Sequence, residues 1–233
     1  MKQITGIEPA SSAWEADVLP MNYICVLRYY NIKNKICNQF FRMQEDDQMS
    51  DKKQVYIFLA DGFEDIEGLM VVDLLRRAGI DITTVSIKEE KQITTSHGIT
   101  MITDTVFADN DYADADMLVL PGGMPGTKYL RAYEPLMQLL TDYYNIEGKI
   151  AAICAAPTIL SDLGFLKDRR AVCYPARIPD LVCREIPEES VAVDGNITTS
   201  RGLGTALPFA LSLIAQLISS EKADEIASQV VAK

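Results

Sequence analysis

The chain has 233 residues, 48% of them hydrophobic and 24% charged, enough apolar material for one large globular domain and too much for a disordered, collagenous or coiled-coil chain. Twenty-two Lys and Arg against 33 Asp and Glu leave a formal charge of −11 with no cluster of cations, which argues against nucleic acid and anionic membrane as partners. No apolar run reaches the roughly 18 to 20 residues that span a bilayer, and the start lacks the basic-then-apolar order of a signal peptide, so the expectation is a soluble, cytoplasmic protein.

Residues 1–48 have no sustained period and carry the sole tryptophan, Trp14. They hold five basic and six acidic residues, so the acidity belongs to residues 49–233, with 17 basic against 27 acidic. The first 48 residues read as an appendage, either a loosely attached tail or an extension from an upstream start at which Met49 would be the ordinary beginning. Their removal is expected to leave oligomeric state and melting temperature nearly unchanged.

From Gln54 onward short β-rich runs alternate with amphipathic helices, the mark of an α/β domain with a mostly parallel sheet. QVYIFLA (54–60) reads as a buried strand. After the Asp61-Gly62 turn, EDIEGLMVVDLLRRAG is acidic in its first turn, basic in its last and closed by Gly79, which marks both ends of a helix. DITTVSI (81–87) is the next strand, followed by a hairpin or a pair of short strands around His97-Gly98. DMLVL (116–120) runs into Pro121-Gly122-Gly123, and one helix is expected from there to about Tyr144. KIAAIC (149–154) is apolar enough to be covered on both faces, and APTILSDLG (156–164) is a short helix stopped by Gly164. AVCY and then VAVDGNITTS, turning at Asp194-Gly195, supply later strands. Two helices close the chain, with Ser219-Ser220 as caps.

In a parallel sheet, ligands bind beyond the carboxyl ends of the strands near the reversal of strand order. Three loops qualify: Asp61–Glu67, Pro121–Gly126 and Cys154-Ala155-Ala156. Cys154 sits between a buried strand and a helix, the position of a nucleophile elbow, where a helix N-terminus would lower the thiol pKa; it would equally serve as a core residue. Early labelling by iodoacetamide well below pH 8, ahead of Cys173 and Cys183, is the corresponding expectation. Glu64 and Asp65 are read as balancing the helix dipole. Glu67, among Ile66, Gly68, Leu69 and Met70, should face inward and stay protonated by desolvation. Gly122 and Gly123 either shape a turn or, with Ala155, offer N–H groups to an oxyanion. His97, the only histidine, reads as a turn residue rather than a base. The five cysteines (Cys25, Cys37, Cys154, Cys173, Cys183) lack C-x-x-C spacing, and no H-E-x-x-H, GxGxxG or Walker loop is present, so neither a metal nor another cofactor is expected.

FLADGFEDIEGLMVVDLLRRAG, LVLPGGMPG, AAICAAPTIL, TSRGLGTA and the closing ASQVVAK stand in the order found in the ThiJ/PfpI superfamily. Over about residues 53–232 the chain resembles that superfamily, in its DJ-1 branch. The resemblance implies a flavodoxin-like three-layer sandwich, usually a homodimer. It also implies a nucleophile at Cys154, a protonated carboxyl at Glu67, an oxyanion glycine at Gly123 beside Ala155, and Arg201 and Gly202 near the pocket. Where several members have His-Pro, this chain has Tyr174-Pro175, and tyrosine is a poor base near neutral pH. The implied activity is turnover of small α-oxoaldehydes such as methylglyoxal, or of their early glycation adducts, in the manner of a glutathione-independent glyoxalase or deglycase. The competing readings are a redox sensor or redox-regulated chaperone working through oxidation of Cys154, a cysteine peptidase or amidase, disfavoured by the missing histidine, and a binding module with an inert cysteine.

Overall fold

The computed structural model describes residues 52–232, and the readings made for residues 1–48, with Cys25 and Cys37, lie outside them. Seven strands form one sheet in the order β5-β2-β1-β6-β7-β9-β8. These are β1 (Gln54–Leu59), β2 (Asp81–Ser86), β5 (Thr105–Val106), β6 (Met117–Leu120), β7 (Lys149–Ile153), β8 (Val191–Asp194) and β9 (Ile197–Ser200). All neighbours are parallel except β8 with β9, which the Asp194-Gly195 turn joins as an antiparallel hairpin. A separate two-stranded ribbon, β3 (Gln92–Thr94) with β4 (Thr100–Ile102), carries His97 at its tip.

The central strands are covered on both faces, as their unbroken apolar runs require. One layer packs α1 (Asp65–Arg77), α5 (Ala206–Leu217) and α6 (Ser220–Gln229) through Val71, Leu75, Phe209, Leu213 and Ile226 onto Val55, Ile57, Leu59 and Ile153. The other packs α2 (Gly126–Ala132), α3 (Glu134–Asn145) and α4 (Pro157–Asp162) through Leu130, Leu136, Leu140, Ile159 and Leu160 onto Tyr56, Phe58, Leu118 and Ile150. Successive side chains of a strand point to opposite faces, which sends Ile57 one way and Phe58 the other. The result is the three-layer α/β sandwich expected, and none of its helices is long and apolar enough to cross a membrane.

Two elements differ from expectation. The single helix expected after Gly123 is two, α2 and α3, broken at Tyr133, which is extended (φ −88°, ψ 94°). Pro135 has no N–H for a carbonyl one turn back, so the helix restarts instead of running through. AVCY does not join the sheet as a strand. Its N–H groups are taken elsewhere: Ala171 by the Glu185 carbonyl (3.0 Å), Val172 by Thr199 Oγ1 (3.0 Å) and Tyr174 by the Cys154 carbonyl (2.7 Å). The last of these holds Tyr174 beside the end of β7.

Candidate active site

The loops after β1, β6 and β7 leave the same edge of the sheet, and strand order reverses between β1 and β6. Glu64 caps α1, its Oε2 accepting from the Glu67 N–H at 2.8 Å, and this fixes the first helical turn. Glu67 is thereby turned inward and is only 1% exposed. Its Oε2 accepts from the Gly122 N–H at 3.0 Å; the Leu203 N–H also donates to the carboxyl, and Cys154 shares a hydrogen bond with it. Sequence reasoning misses Leu203, although it lies within the TSRGLGTA run, because a backbone donor has no side-chain signature.

Cys154 follows β7 directly with φ +67°, a left-handed backbone conformation at a non-glycine residue. Such a conformation costs about 1–3 kcal/mol and persists only where the surroundings impose it. Here the Cys154 N–H donates to the Ser200 carbonyl (2.9 Å) and its carbonyl accepts from Tyr174, locking the elbow from both sides. The Ala155 and Gly123 N–H groups donate to Sγ. Gly122 is not available to an oxyanion, because its N–H is committed to Glu67. A Cβ on Gly122 would stand 2.5 Å from Glu67 Oε2 and 2.6 Å from Cys154 Cβ, so only glycine permits this approach. Gly123, at φ +94°, has no room either, since its Cβ would run into the backbone of Phe63 and Glu64.

Burial, with a contribution from the Glu64 charge and against the pull of its hydrogen bonds, lifts the Glu67 carboxyl from 4.5 to about 7. Burial and the adjoining Glu67 carboxyl push the Cys154 thiol above its ordinary value, while the Ala155 and Gly123 N–H groups pull it down. The lowered thiol pKa expected from a helix N-terminus is therefore not found. Helix α4 is only six residues long, and the acidic partner and the dry surroundings outweigh it. Cysteine and glutamate titrate as a pair: the species with thiolate beside protonated carboxyl and the species with thiol beside carboxylate differ only in where one proton sits. Burial also lifts Cys173, 2% exposed, to about 11, and raises Cys183. Its left-handed elbow and its shared hydrogen bond with Glu67, not acidity, set Cys154 apart.

Tyr174 stands at the rim, 48% exposed. A Cβ built on Gly202 would lie 3.4 Å from the Tyr174 ring, 3.6 Å from Glu67 Oε1 and 3.7 Å from Sγ, which places these three groups around one point. Arg201, next in the chain, is exposed and has no ion pair or side-chain hydrogen bond with any described residue.

His97 sits in the ribbon turn as expected, but it is also tied to the first turn of α1. Its Nδ1 lies 2.6 Å from Asp65 Oδ2, and Thr95 Oγ1 donates to Asp65 Oδ1 at 2.5 Å. Burial opposes ionisation of Asp65, yet these bonds hold its carboxyl below the usual range, and the carboxylate raises His97 in turn. Asp65 therefore anchors the ribbon as well as facing the helix dipole. Glu64, Asp65 and His97 place three possible metal-ligand atoms within 4.8 Å of one another. The Asp65 oxygens are already taken up by Thr95, Ser96 and His97, and the group behaves as a hydrogen-bond network.

The DJ-1/PfpI family is matched over residues 53–216. DJ-1 homolog B of Arabidopsis thaliana is 37% identical over 185 residues, 78% of this chain and 42% of its own; this chain spans less than half the length of that relative. Protein dj-1beta of Drosophila melanogaster is 36% identical over 75% of this chain and 95% of its own, and a deglycase of Pyrococcus abyssi is 34% identical over 64% and 89%. Among solved structures, oxidized DJ-1 of Toxoplasma gondii superposes with a TM-score of 0.74 at 32% identity, covering 77% of this chain and 98% of that one. Drosophila melanogaster DJ-1beta gives 0.74 at 35% identity over the same shares.

Proposed function

The chain belongs to the DJ-1/PfpI family, and from that premise we propose that it is a cysteine-dependent enzyme acting on small α-oxoaldehydes such as methylglyoxal, or on their early glycation adducts. The observation that carries this reading is the Cys154–Glu67 pair: a thiol at a locked elbow, two N–H groups aimed at its sulfur, and a buried carboxyl whose pKa of about 7 lets it accept and release a proton near neutrality. In the proposed reaction Sγ, its proton held by Glu67, bonds to the aldehyde carbon, and the oxygen takes a proton to give a hemithioacetal. Glu67 removes the proton on that carbon and delivers it to the neighbouring carbon, while the hydroxyl proton passes to the neighbouring carbonyl oxygen, so that the former aldehyde carbon becomes a thioester. Water then cleaves the C–S bond, freeing a hydroxy acid and the thiol. The Gly123 and Ala155 N–H groups are placed for the oxygen that gains charge. For a glycation adduct the same hemithioacetal forms with the amine as the departing group.

Tyr174 supplies no base in this scheme, and Asp65-bound His97 belongs to the ribbon, so both proton steps fall to Glu67. Cys154→Ala should abolish methylglyoxal turnover, whereas Glu67→Gln should lose turnover but keep thiol alkylation; a Cys154→Ala protein that still makes hydroxy acid overturns the proposal. A second reading has its own support. The two N–H groups and a protonated Glu67 would also hold the oxygens of a Cys154 sulfinate, which fits a redox sensor, and the Toxoplasma gondii DJ-1 structure is described as oxidized. Sustained turnover separates the two. We further propose that the protein works as a homodimer in the cytoplasm, where its free thiols suit a reducing medium. Light scattering reports the former.

A further inference from the structure

Three glycines border the reacting pair, and they differ in the room they leave. A Cβ on Gly122 would run into Glu67 Oε2 and Cys154 Cβ, and one on Gly123 into the Phe63 and Glu64 backbone. A Cβ on Gly202 would meet nothing outside its chain neighbours closer than 3.4 Å, so the space beside it is open. Its three nearest groups are Cδ2 of the Tyr174 ring at 3.4 Å, Glu67 Oε1 at 3.6 Å and Cys154 Sγ at 3.7 Å, all ordinary van der Waals contacts. One carbon-sized volume therefore touches the nucleophile, the proton carrier and an aromatic ring.

The first two of these groups have parts in the proposed reaction, and the ring has none. Tyr174 is tied to the elbow by its backbone, its N–H donating to the Cys154 carbonyl at 2.7 Å. Its hydroxyl has no hydrogen bond to any described residue, and its side chain is half exposed. Leu203, whose N–H reaches the Glu67 carboxyl, is likewise large, apolar and half exposed. Open aromatic surface beside a thiol suits an apolar group on whatever the thiol holds. Bond lengths set the scale. With Sγ bonded to the aldehyde carbon, the substituent on the neighbouring carbonyl carbon begins about 3–4 Å from the sulfur. One carbon–carbon contact of about 3.5–4 Å then spans the rest of the way to the Tyr174 ring.

We propose that Tyr174 is a specificity-determining residue whose ring packs against the substituent on the second carbonyl carbon, so that the site favours α-oxoaldehydes carrying a planar apolar group, such as an aryl group, over those carrying hydrogen or methyl. The proposal rests on Cys154 being the attacking thiol, and it deepens the enzyme reading by naming what the substrate bears beyond its two carbonyls.

Alkylation tests it without turnover. Phenacyl chloride and chloroacetone each bond to Sγ through their CH2 carbon, with chloride leaving and the thiol proton passing to water. The product carries phenyl or methyl on the carbon next to the one bound to sulfur, the connectivity of the hemithioacetal. The full chain is treated with each reagent, and the rate at Cys154 is followed by peptide mass mapping. The phenyl-to-methyl rate ratio is divided by the same ratio for free N-acetylcysteine. The expected value is about fivefold above unity in the wild type, the scale of a single aromatic pair. Tyr174→Phe should keep it, because the ring and not the hydroxyl makes the contact, and Tyr174→Ala should return it to about unity. The anchoring N–H belongs to the backbone and the side chain has no described hydrogen bond, so both variants retain the elbow. A normalised ratio at or below unity in the wild type, one that Tyr174→Ala leaves unchanged, or one that Tyr174→Phe abolishes overturns the proposal. Failure of either reagent to label Cys154 overturns it together with the reading it rests on. Absence of methylglyoxal turnover counts against the enzyme reading alone, since the ratio at Cys154 decides this one independently.

Discussion

Replacing Glu67 with glutamine isolates the free energy stored in its burial. Below pH 4.5 the carboxyl is protonated in both folded and unfolded chains and contributes no pH dependence. As pH rises the unfolded chain releases its proton at about 4.5, while the folded chain holds it until about 7, so the unfolded state binds fewer protons and stability falls across that window. The shift of 2.5 pH units, at about 1.4 kcal/mol each, amounts to about 3 kcal/mol lost by the wild type between pH 4.5 and 7.5. Glu67→Gln has nothing to titrate there and keeps an oxygen to accept from the Gly122 N–H. For a domain of this size about 3 kcal/mol corresponds to roughly 6–12 °C in melting temperature. Melting curves of both proteins at half-unit steps from pH 4.5 to 8 should show the variant gaining on the wild type by that amount, with the change complete just above pH 7. A gap that stays constant with pH would refute the buried, high-pKa carboxyl and with it the proton-transfer role.

The rate of Cys154 alkylation should rise with an inflection near 7 in the wild type, because the first proton to leave belongs to the pair, and Glu67→Gln should lose that inflection; a profile unaltered by the substitution would show that the two groups titrate separately. Low-dose peroxide followed by mass mapping should place sulfinate mainly on Cys154, since Cys173 is 2% exposed and lacks the paired N–H donors; equal oxidation at Cys173 would contradict this. Gly123→Ala should lower stability by about 2 kcal/mol or more and cut turnover sharply, because the new methyl meets the Phe63 and Glu64 backbone at φ +94°; a denaturant midpoint unchanged from wild type would show that the loop yields freely. Dialysis against chelator should leave turnover intact, and a loss restored by added zinc would make the Glu64–Asp65–His97 group a metal site rather than a hydrogen-bond network.

Sequence alone was sufficient for the periodic features. β1, β6 and β7 are apolar runs and β2 a β-rich one, and α1 declares both ends by acidic and basic turns, because strand burial and the helix dipole act on residues close in the chain. The three loops at one sheet edge followed from that order, and the inward face of Glu67 from its apolar neighbours. What depended on contacts between distant segments was not legible. The bond from Tyr174 to Cys154, the use of the Gly122 N–H by Glu67, the Leu203 donor and the Asp65–His97 tie all join residues far apart in sequence through backbone groups or single atoms. The direction of the Cys154 pKa is opposite to the one expected from sequence for the same reason. A helix N-terminus can be seen in the sequence, whereas the dry carboxyl that outweighs it reaches the sulfur only once the first turn of α1 meets the residue that follows β7.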